Sequence, residues 1–257
     1  MEKSFTNIYE SNEWGNNKNN LYNGSSGEGS KIDFNKDTYV PFLKKFIIDN
    51  NIKTVNDLGC GDFLCGKLIY DDLDISYTGY DTYKKIVDYN TAHYPSPKYT
   101  FVHLDFFNNK EAIKDCDLCI LKDVIQHWST KSIYIFLDYL VKFKNIKYIL
   151  LCNDYNQTHD DQDTIDGGFR PLNPKYYPLK KYDPIKIYKY NYKEIYLIEK
   201  NKNTAYYEWD EKDEKKNTLY NSNSCIKYYN SDLPLLIIFI IIFIMLIMLT
   251  IIMNKHN

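Results

Sequence analysis

The chain lacks an excess of charge of either sign. Its 257 residues include 32 basic and 34 acidic side chains, and the formal net charge is −2 at pH 7. The basic residues are spread among acidic ones and form no platform with aromatic residues, so we expect no nucleic-acid partner. Tyrosine is abundant, with 26 residues. Asparagine, lysine and isoleucine are frequent too, a bias typical of an AT-rich coding sequence.

Cysteine is sparse, and its spacing argues against the common cysteine scaffolds. Of the six cysteines, Cys116 and Cys119 form a C-x-x-C pair, and no second pair with ligand spacing accompanies it. Structural zinc takes four ligands and disulfide frameworks are typical of short secreted chains, so we expect neither. His159 lies among three aspartates, but no predicted helix or strand fixes their geometry. We interpret that segment as a solvated loop and predict no metal site.

The two ends of the chain differ sharply in hydrophobicity. The first residues contain no apolar core, so we expect no signal peptide. Residues 235–253 are apolar apart from Thr250 and carry no charge. A helix of that length spans roughly 28 Å, close to the hydrocarbon core of a bilayer, whereas a buried core helix would normally be shorter and amphipathic. The sequence therefore predicts a single-pass transmembrane helix over residues 234–253, a tail anchor that leaves the large domain in the cytosol.

The most informative segment is an apolar strand that ends in a glycine loop, V-N-D-L-G-C-G-D-F over residues 55–63. Gly59 and Gly61 allow a tight turn and a close approach of the backbone to a ligand. Asp57 and Asp62 flank the loop and no Lys-Ser/Thr pair follows, so it is not a phosphate loop. Acidic flanks suit a ligand that combines hydroxyl groups with positive charge, and S-adenosylmethionine is such a ligand.

Strands and helices alternate along the middle of the chain, which is typical of a parallel sheet covered by helices. The predicted strands are Ile52 to Leu58, Ile75 to Tyr80, Tyr99 to Leu104, Leu118 to Leu121, Lys147 to Cys152, Ile185 to Tyr190 and Glu194 to Ile198. The predicted helices are Asp37 to Asn50, Gly66 to Tyr70 and Ser132 to Phe143. Asp57, Asp81, Asp105 and Asp123 fall near the carboxyl ends of the first four strands, where ligands of such sheets bind.

Three further motifs occur in order along the chain. They are W-G…S-G-x-G-S at residues 14–30, D-V-x-Q-H-W at residues 123–128 and G-G-x-R-P-L-N at residues 167–173. With the glycine loop and the acidic strand ends, they resemble the class I S-adenosylmethionine-dependent methyltransferases, and within them a little-characterised subset. The resemblance implies an α/β fold with a Rossmann-like seven-stranded sheet. That sheet is mostly parallel, with an antiparallel last strand and helices on both faces.

The resemblance also implies a domain organisation. The class I methyltransferase domain covers residues 37–200, and the polar residues 1–36 before it are interpreted as a lid over the cofactor. Residues 201–233 form a charged linker without apolar periodicity. The transmembrane helix and a short tail, residues 254–257, follow the linker.

Roles for individual residues follow from the same resemblance. S-adenosyl-L-methionine is the implied cofactor, held by Trp14, Asp57, Gly59, Gly61, Asp81 and Asp105. The two glycines would approach its methionine part, and Asp57 would orient the loop or hold the amino group. Asp81 would accept hydrogen bonds from the ribose hydroxyls, and Asp105 would lie near the adenine amine.

Candidate catalytic residues lie after the fourth strand, in the segment that faces the transferred methyl in this family. A hydroxyl acceptor benefits from a general base, and His127 is the candidate because its ordinary pKa is near neutral. The alternative is that His127 caps the next helix or packs against it. Asp123 would contact the acceptor or orient His127. Arg170 would bind an acidic or hydroxylated acceptor, or form a structural ion pair.

The sequence therefore favours a membrane-anchored S-adenosylmethionine-dependent methyltransferase that O-methylates a small-molecule or glycan hydroxyl. Two alternatives remain. One is methylation of a protein or lipid at the membrane, and the other is an inactive methyltransferase fold that serves as an interaction module. The oligomeric state is left open, and fold alone does not identify the acceptor.

Overall fold

The computed structural model describes residues 1–16 and 22–199. Its strands are β1 (Thr54–Leu58), β2 (Ser76–Asp81), β3 (Tyr99–His103), β4 (Cys116–Lys122), β5 (Ile146–Asp154), β6 (Ile185–Tyr190) and β7 (Lys193–Glu199). They form one seven-stranded sheet in the order β3-β2-β1-β4-β5-β7-β6. The order reverses between β1 and β4, and ligands of doubly wound sheets bind at such a switch point.

The direction of the strands agrees with the sequence analysis. β1 to β5 pair in parallel, whereas β7 is antiparallel to both of its neighbours, β5 and β6. β6 and β7 form a hairpin around Asn191 and Tyr192, and Asn191 adopts the left-handed conformation with φ of 47°. The predicted mostly parallel sheet with an antiparallel last strand is confirmed.

Six α-helices accompany the sheet in the described residues. They are α1 (Glu2–Glu10), α2 (Ile32–Asn35), α3 (Tyr39–Asp49), α4 (Gly66–Tyr70), α5 (Lys84–His93) and α6 (Thr130–Phe143). α3, α4 and α6 were predicted to within two residues of their ends. α1, α2 and α5 were missed. α1 is polar apart from a short buried stripe, and its formation depends on the tertiary contacts of Phe5, Ile8 and Tyr9.

Both faces of the sheet are buried. Four consecutive residues of β4, Leu118 to Leu121, are inaccessible to solvent. Consecutive strand residues point to opposite faces, so both sides of β4 must be covered, as parallel sheets require. On one face, Leu43 and Ile47 of α3 pack in a cluster with Val55 of β1.

No helix in residues 1–16 and 22–199 is long and apolar enough to cross a membrane. The predicted transmembrane helix over residues 234–253 lies outside the described residues. The predicted linker, residues 201–233, and the tail, residues 254–257, lie outside them as well.

Candidate functional site

A cavity opens at the carboxyl edge of the sheet, where β1 to β4 end. Seven of the nine predicted site residues line it, and they are Trp14, Asp57, Gly59, Gly61, Asp81, Asp105 and Asp123. His127 and Arg170 are not among the lining residues. Much of the remaining wall is aromatic and includes Phe5, Tyr9, Phe106 and Trp128. The structure therefore brings seven of the nine predicted residues together at one edge of the sheet, and their roles remain predictions.

The glycine loop after β1 has a conformation that only glycine adopts easily. Gly59 and Gly61 have φ angles of 81° and 53°, in the left-handed region. A Cβ on Gly59 would lie 2.5 Å from Cγ2 of Val124, and one on Gly61 would lie 2.6 Å from Oγ of Ser26. Both glycines are therefore required by backbone conformation and by close packing against two other segments.

Asp81 holds this loop in place. Its Oδ2 accepts a hydrogen bond from the Gly61 N–H at 3.0 Å, and its Oδ1 accepts one from the Tyr83 N–H at 2.9 Å. Burial raises the pKa of Asp81, although these backbone donors oppose the rise. A carboxylate has about four acceptor positions, so Asp81 can still accept from ligand hydroxyls in the cavity. The predicted contact with a ribose remains a prediction.

Asp57 ends β1 beside the loop. Its Oδ2 accepts a hydrogen bond from the Tyr77 hydroxyl at 2.9 Å. Burial raises the pKa of Asp57 to about 6, against the opposing effects of that hydrogen bond and of Lys122. A ligand ammonium group at this carboxyl would favour its ionised form and restore a lower pKa.

Asp105 joins the end of β3 to the N-terminal segment. Its Oδ2 accepts from the Glu2 N–H at 3.0 Å, in the first turn of α1, and from Nδ2 of Asn108 at 2.8 Å. Burial alone would raise the pKa of Asp105, but these donors outweigh it and the pKa is lowered. The ionised carboxylate thus caps the positive end of α1. Its predicted place near the adenine amine remains a prediction.

His127 lies next to the cavity wall rather than in it. Its ring centroid is 4.9 Å from that of Trp14, which does line the cavity, and 5.7 Å from that of Phe169. Nδ1 lies 2.7 Å from the Gly168 carbonyl. A carbonyl only accepts, so Nδ1 carries the proton and Nε2 keeps its lone pair. Burial lowers the pKa of His127, which favours this neutral form.

Asp123 is held by two lysines instead of by His127. Its Oδ2 lies 2.7 Å from Nζ of Lys122 and its Oδ1 lies 2.5 Å from Nζ of Lys193, which also pairs with Asp154. Burial would raise the pKa of Asp123, but the two ammonium groups outweigh it and lower the pKa. The group that orients His127 is the Gly168 carbonyl, so the structure does not bring Asp123 into that predicted role.

Two buried polar atoms on the cavity wall have no partner among the described residues. They are Oγ1 of Thr82 and Nε1 of Trp128. An unpaired buried donor costs about 1–3 kcal/mol, so these two atoms destabilise the wall locally. The glycine loop and the carboxylates on the cavity wall fit a ligand such as S-adenosylmethionine. Asp57, Asp81 and the loop would hold it. Residues 1–16 and 22–199 contain no cluster of three acidic, histidine or cysteine side chains suited to a metal ion.

Comparison with known proteins gives similarity at the level of structure. No family model and no curated protein matches the chain. An N-methyltransferase, NodS from Bradyrhizobium japonicum, solved with S-adenosylhomocysteine, has a TM-score of 0.54 at 10% identity over 76% of this chain and 100% of its own. An O-methyltransferase family protein from Burkholderia thailandensis has a TM-score of 0.51 at 11% identity over 65% of this chain and 56% of its own. Human N-acetylserotonin methyltransferase, solved with S-adenosylmethionine, has a TM-score of 0.50 at 17% identity over 62% of this chain and 50% of its own.

The chain has the class I methyltransferase fold. The resemblance predicted from the sequence is therefore confirmed for the fold. Two of these structures contain S-adenosylmethionine or S-adenosylhomocysteine, which agrees with the predicted cofactor. The chain spans about half the length of the human enzyme and of the Burkholderia protein, at 50% and 56%.

Arg170 is buried among protein acceptors, away from the cavity that most of the predicted residues line. The side chain is 2% exposed and its Nη1 donates to Oγ1 of Thr130 at 2.9 Å and to the Gln162 carbonyl at 2.5 Å. Nη2 donates to the Trp128 carbonyl at 3.3 Å, and Asp163 forms an ion pair with Nη1 at 3.2 Å. These contacts correspond to the structural alternative, and the structure does not bring Arg170 to the cavity.

The sequence analysis missed several residues of the cavity wall, among them Ser26, Tyr9 and Lys122. Ser26 Oγ accepts from the Asp62 N–H and lies 3.0 Å from the Tyr9 hydroxyl, while the Tyr9 ring stacks on Tyr83 at 4.5 Å. Ser26 belongs to the S-G-x-G-S motif, so a signal for it existed. Tyr9 and Lys122 had none, because their orientation depends on how distant segments pack.

Proposed function

We propose that this protein is an S-adenosylmethionine-dependent methyltransferase whose cofactor occupies the cavity at the carboxyl edge of the sheet. One observation carries the proposal. The glycine loop, Asp57, Asp81 and Asp105 come from three different strand ends, yet all line one cavity in a class I methyltransferase fold. When bound, the cofactor supplies a methyl group activated by the adjacent sulfonium.

The residues of the chain mainly bind and position the reactants. Gly59 and Gly61 let the backbone approach the ligand without a Cβ in between. Asp57 offers a carboxylate to the ammonium group, and Asp81 combines its hold on the loop with acceptor capacity for the ribose hydroxyls. Because methyl transfer is an in-line displacement, such positioning accounts for much of the expected rate enhancement.

The acceptor in this proposal is a small-molecule or glycan hydroxyl. Its proton would pass to Nε2 of His127, which is neutral and has no hydrogen-bond partner among the described residues. Trp14 lines the cavity and its ring centroid lies 4.9 Å from that of His127, so in this proposal the Trp14 side chain must shift to let the acceptor reach Nε2. The aromatic walls contributed by Phe5 and Trp14 suit an acceptor with a flat or apolar face.

Residues 1–36 serve as the lid over the cofactor in this proposal. Three polar contacts tie the segment to the ends of different strands. The Glu2 N–H bonds to Asp105, Oγ of Ser26 accepts from the Asp62 N–H, and the Gly29 carbonyl accepts from Lys122. Removal of these contacts would open the cavity to solvent.

Calorimetry of the full-length protein in detergent with S-adenosylhomocysteine tests the cofactor site. We expect saturable binding that Gly59→Ala weakens by about tenfold or more, because the added Cβ collides with Val124. The exposed Lys84→Ala is the control and should bind as the wild type does. Absence of binding at about millimolar ligand would mean a binding free energy weaker than about −4 kcal/mol. That result would refute the methyltransferase proposal.

Membrane attachment is proposed from the apolar segment at residues 234–253 and is tested separately. The full chain should float with phospholipid vesicles in a density gradient, and a variant without residues 234–253 should stay at the bottom. Flotation of both proteins, or of neither, would contradict an anchor in that segment.

A further inference from the structure

The charged wall of the cavity is strongly asymmetric. Five lining residues are aspartates, at positions 57, 62, 81, 105 and 123. Among the described residues on the wall the cations are the Lys122 side chain and the amino group of Met1, which lies 3.6 Å from Oδ2 of Asp105. The amino-acid part of the cofactor carries a carboxylate, which the aspartates would repel. We propose that Lys122 binds this carboxylate and selects ligands that carry it, an inference that rests on the proposed function above.

The sheet register places Lys122 beside the residue assigned to the ammonium group. Asp57 of β1 pairs with Ile120 of β4, so Lys122 lies two residues further towards the carboxyl edge. Residues two apart share a face of the sheet, and Ile120 belongs to the same cluster as Val55 of β1. Asp57 and Lys122 therefore point to the same face of neighbouring strands. An α-amino acid, whose ammonium and carboxylate groups are one carbon apart, matches such a pair.

Lys122 also has a hydrogen-bond donor to spare. An ammonium group has three N–H donors. One donates to the Gly29 carbonyl at 2.6 Å and another to Oδ2 of Asp123 at 2.7 Å. No third acceptor is present among the described residues, and Nζ lies 5.4 Å from the centroid of the Tyr39 ring. The remaining donor is therefore available to a ligand from a fixed position.

The surroundings of Lys122 keep it charged and in place. Burial would lower the pKa of Lys122, but the adjacent Asp123 outweighs it and the pKa is raised. Asp123 and Asp154 together balance the charges of Lys122 and Lys193. Gly29 approaches closely because it lacks a side chain, since a Cβ there would lie 2.5 Å from Oδ2 of Asp123. A ligand carboxylate would thus meet a preorganised donor.

A pair of ligands that differ by the carboxylate alone isolates this contact. S-adenosylhomocysteine has the complete amino acid, whereas S-adenosyl-3-thiopropylamine keeps the adenosine, the thioether and the amine. We would titrate both by calorimetry into the full-length protein in detergent. For the wild type we expect about tenfold or more tighter binding of S-adenosylhomocysteine, the value of a charged hydrogen bond.

The variant Lys122→Met should weaken binding of S-adenosylhomocysteine by about tenfold or more and leave binding of the amine within about twofold. Lys193→Met is the matched control, because it removes the other ammonium group from Asp123 without touching the cavity wall. It should change both affinities by the same factor. If Lys122→Met does not fold, Lys122→Gln is used instead. The ratio of its affinities for S-adenosylhomocysteine and for the amine is then compared with that of the wild type.

The outcomes separate this inference from the proposed function. A wild type that binds both ligands equally well, or a Lys122 variant that weakens both by the same factor, overturns the role of Lys122 and leaves the cofactor site in place. A wild type that binds neither ligand overturns the proposed function and this inference together.

Discussion

The partly buried carboxyl of Asp57 makes the stability of the protein depend on pH in a direction that can be measured. Burial raises its pKa from 3.8 to about 6. In Asp57→Asn the side-chain amide can still accept the hydrogen bond of the Tyr77 hydroxyl, which lies 2.9 Å from Oδ2 in the wild type, but it cannot ionise. The substitution therefore removes the ionisable group at position 57 and keeps the shape of the side chain.

The size of the effect follows from the pKa difference. A shift of about two units corresponds to about 3 kcal/mol of unfolding free energy, at about 1.36 kcal/mol per unit. The native state retains the Asp57 proton to a higher pH than the unfolded chain does. The stability it contributes is fully present below pH 3.8 and is lost as the pH rises through about 6. The wild type should thus lose up to about 3 kcal/mol relative to Asp57→Asn between about pH 4 and pH 7.

Urea unfolding of both proteins, followed by tryptophan fluorescence at several pH values, measures this difference. Asp161→Asn, at an exposed loop position, serves as the control substitution. Saturating S-adenosylhomocysteine should move the transition to lower pH, because its ammonium group favours the ionised carboxylate. Unfolding free energies of wild type and Asp57→Asn that run parallel over the whole range would refute the reasoning.

Three other substitutions test the remaining parts of the site. Gly61→Ala should weaken binding of S-adenosylhomocysteine in calorimetry by about tenfold or more, since its Cβ would lie 2.6 Å from Oγ of Ser26. Ser26→Gly added to it should restore part of the affinity, and no restoration would contradict the clash. His127→Gln should lower methyl-transfer turnover by about 100-fold or more with the cofactor affinity unchanged, and a fully active variant would remove His127 as the base. Arg170→Met should lower the unfolding free energy by about 3 kcal/mol in urea and leave cofactor affinity unchanged, whereas unchanged stability with a raised acceptor KM would favour a binding role.

Much of the fold was predictable because its signals are local. Apolar β-branched runs identified all seven strands, and β6 was predicted with the observed bounds Ile185–Tyr190. The acidic residues near the carboxyl ends of β1 to β4 were expected at one edge, because parallel strands share the direction of their carboxyl ends, and they line one cavity. The glycine loop was recognisable because its left-handed backbone requires glycine.

The segment before the sheet was less predictable. Residues 1–36 read as polar because few of them are apolar, yet α1 forms there and buries Phe5, Ile8 and Tyr9. Its stability depends on Asp105 at its first turn and on Tyr83 beneath Tyr9, both distant in sequence. Local propensity does not contain such contacts.

By itself the sequence determined the seven strands of the sheet, their mostly parallel direction, the glycine loop and the edge at which the acidic residues gather, because these depend on neighbouring residues and on strand direction. Only the tertiary structure decided which side chains meet at that edge. It directed Lys122 into the cavity, kept His127 behind Trp14 and enclosed Arg170 among protein acceptors. The physical reason is that burial and pairing of a charged side chain depend on segments that are far apart in the chain and come together only on folding.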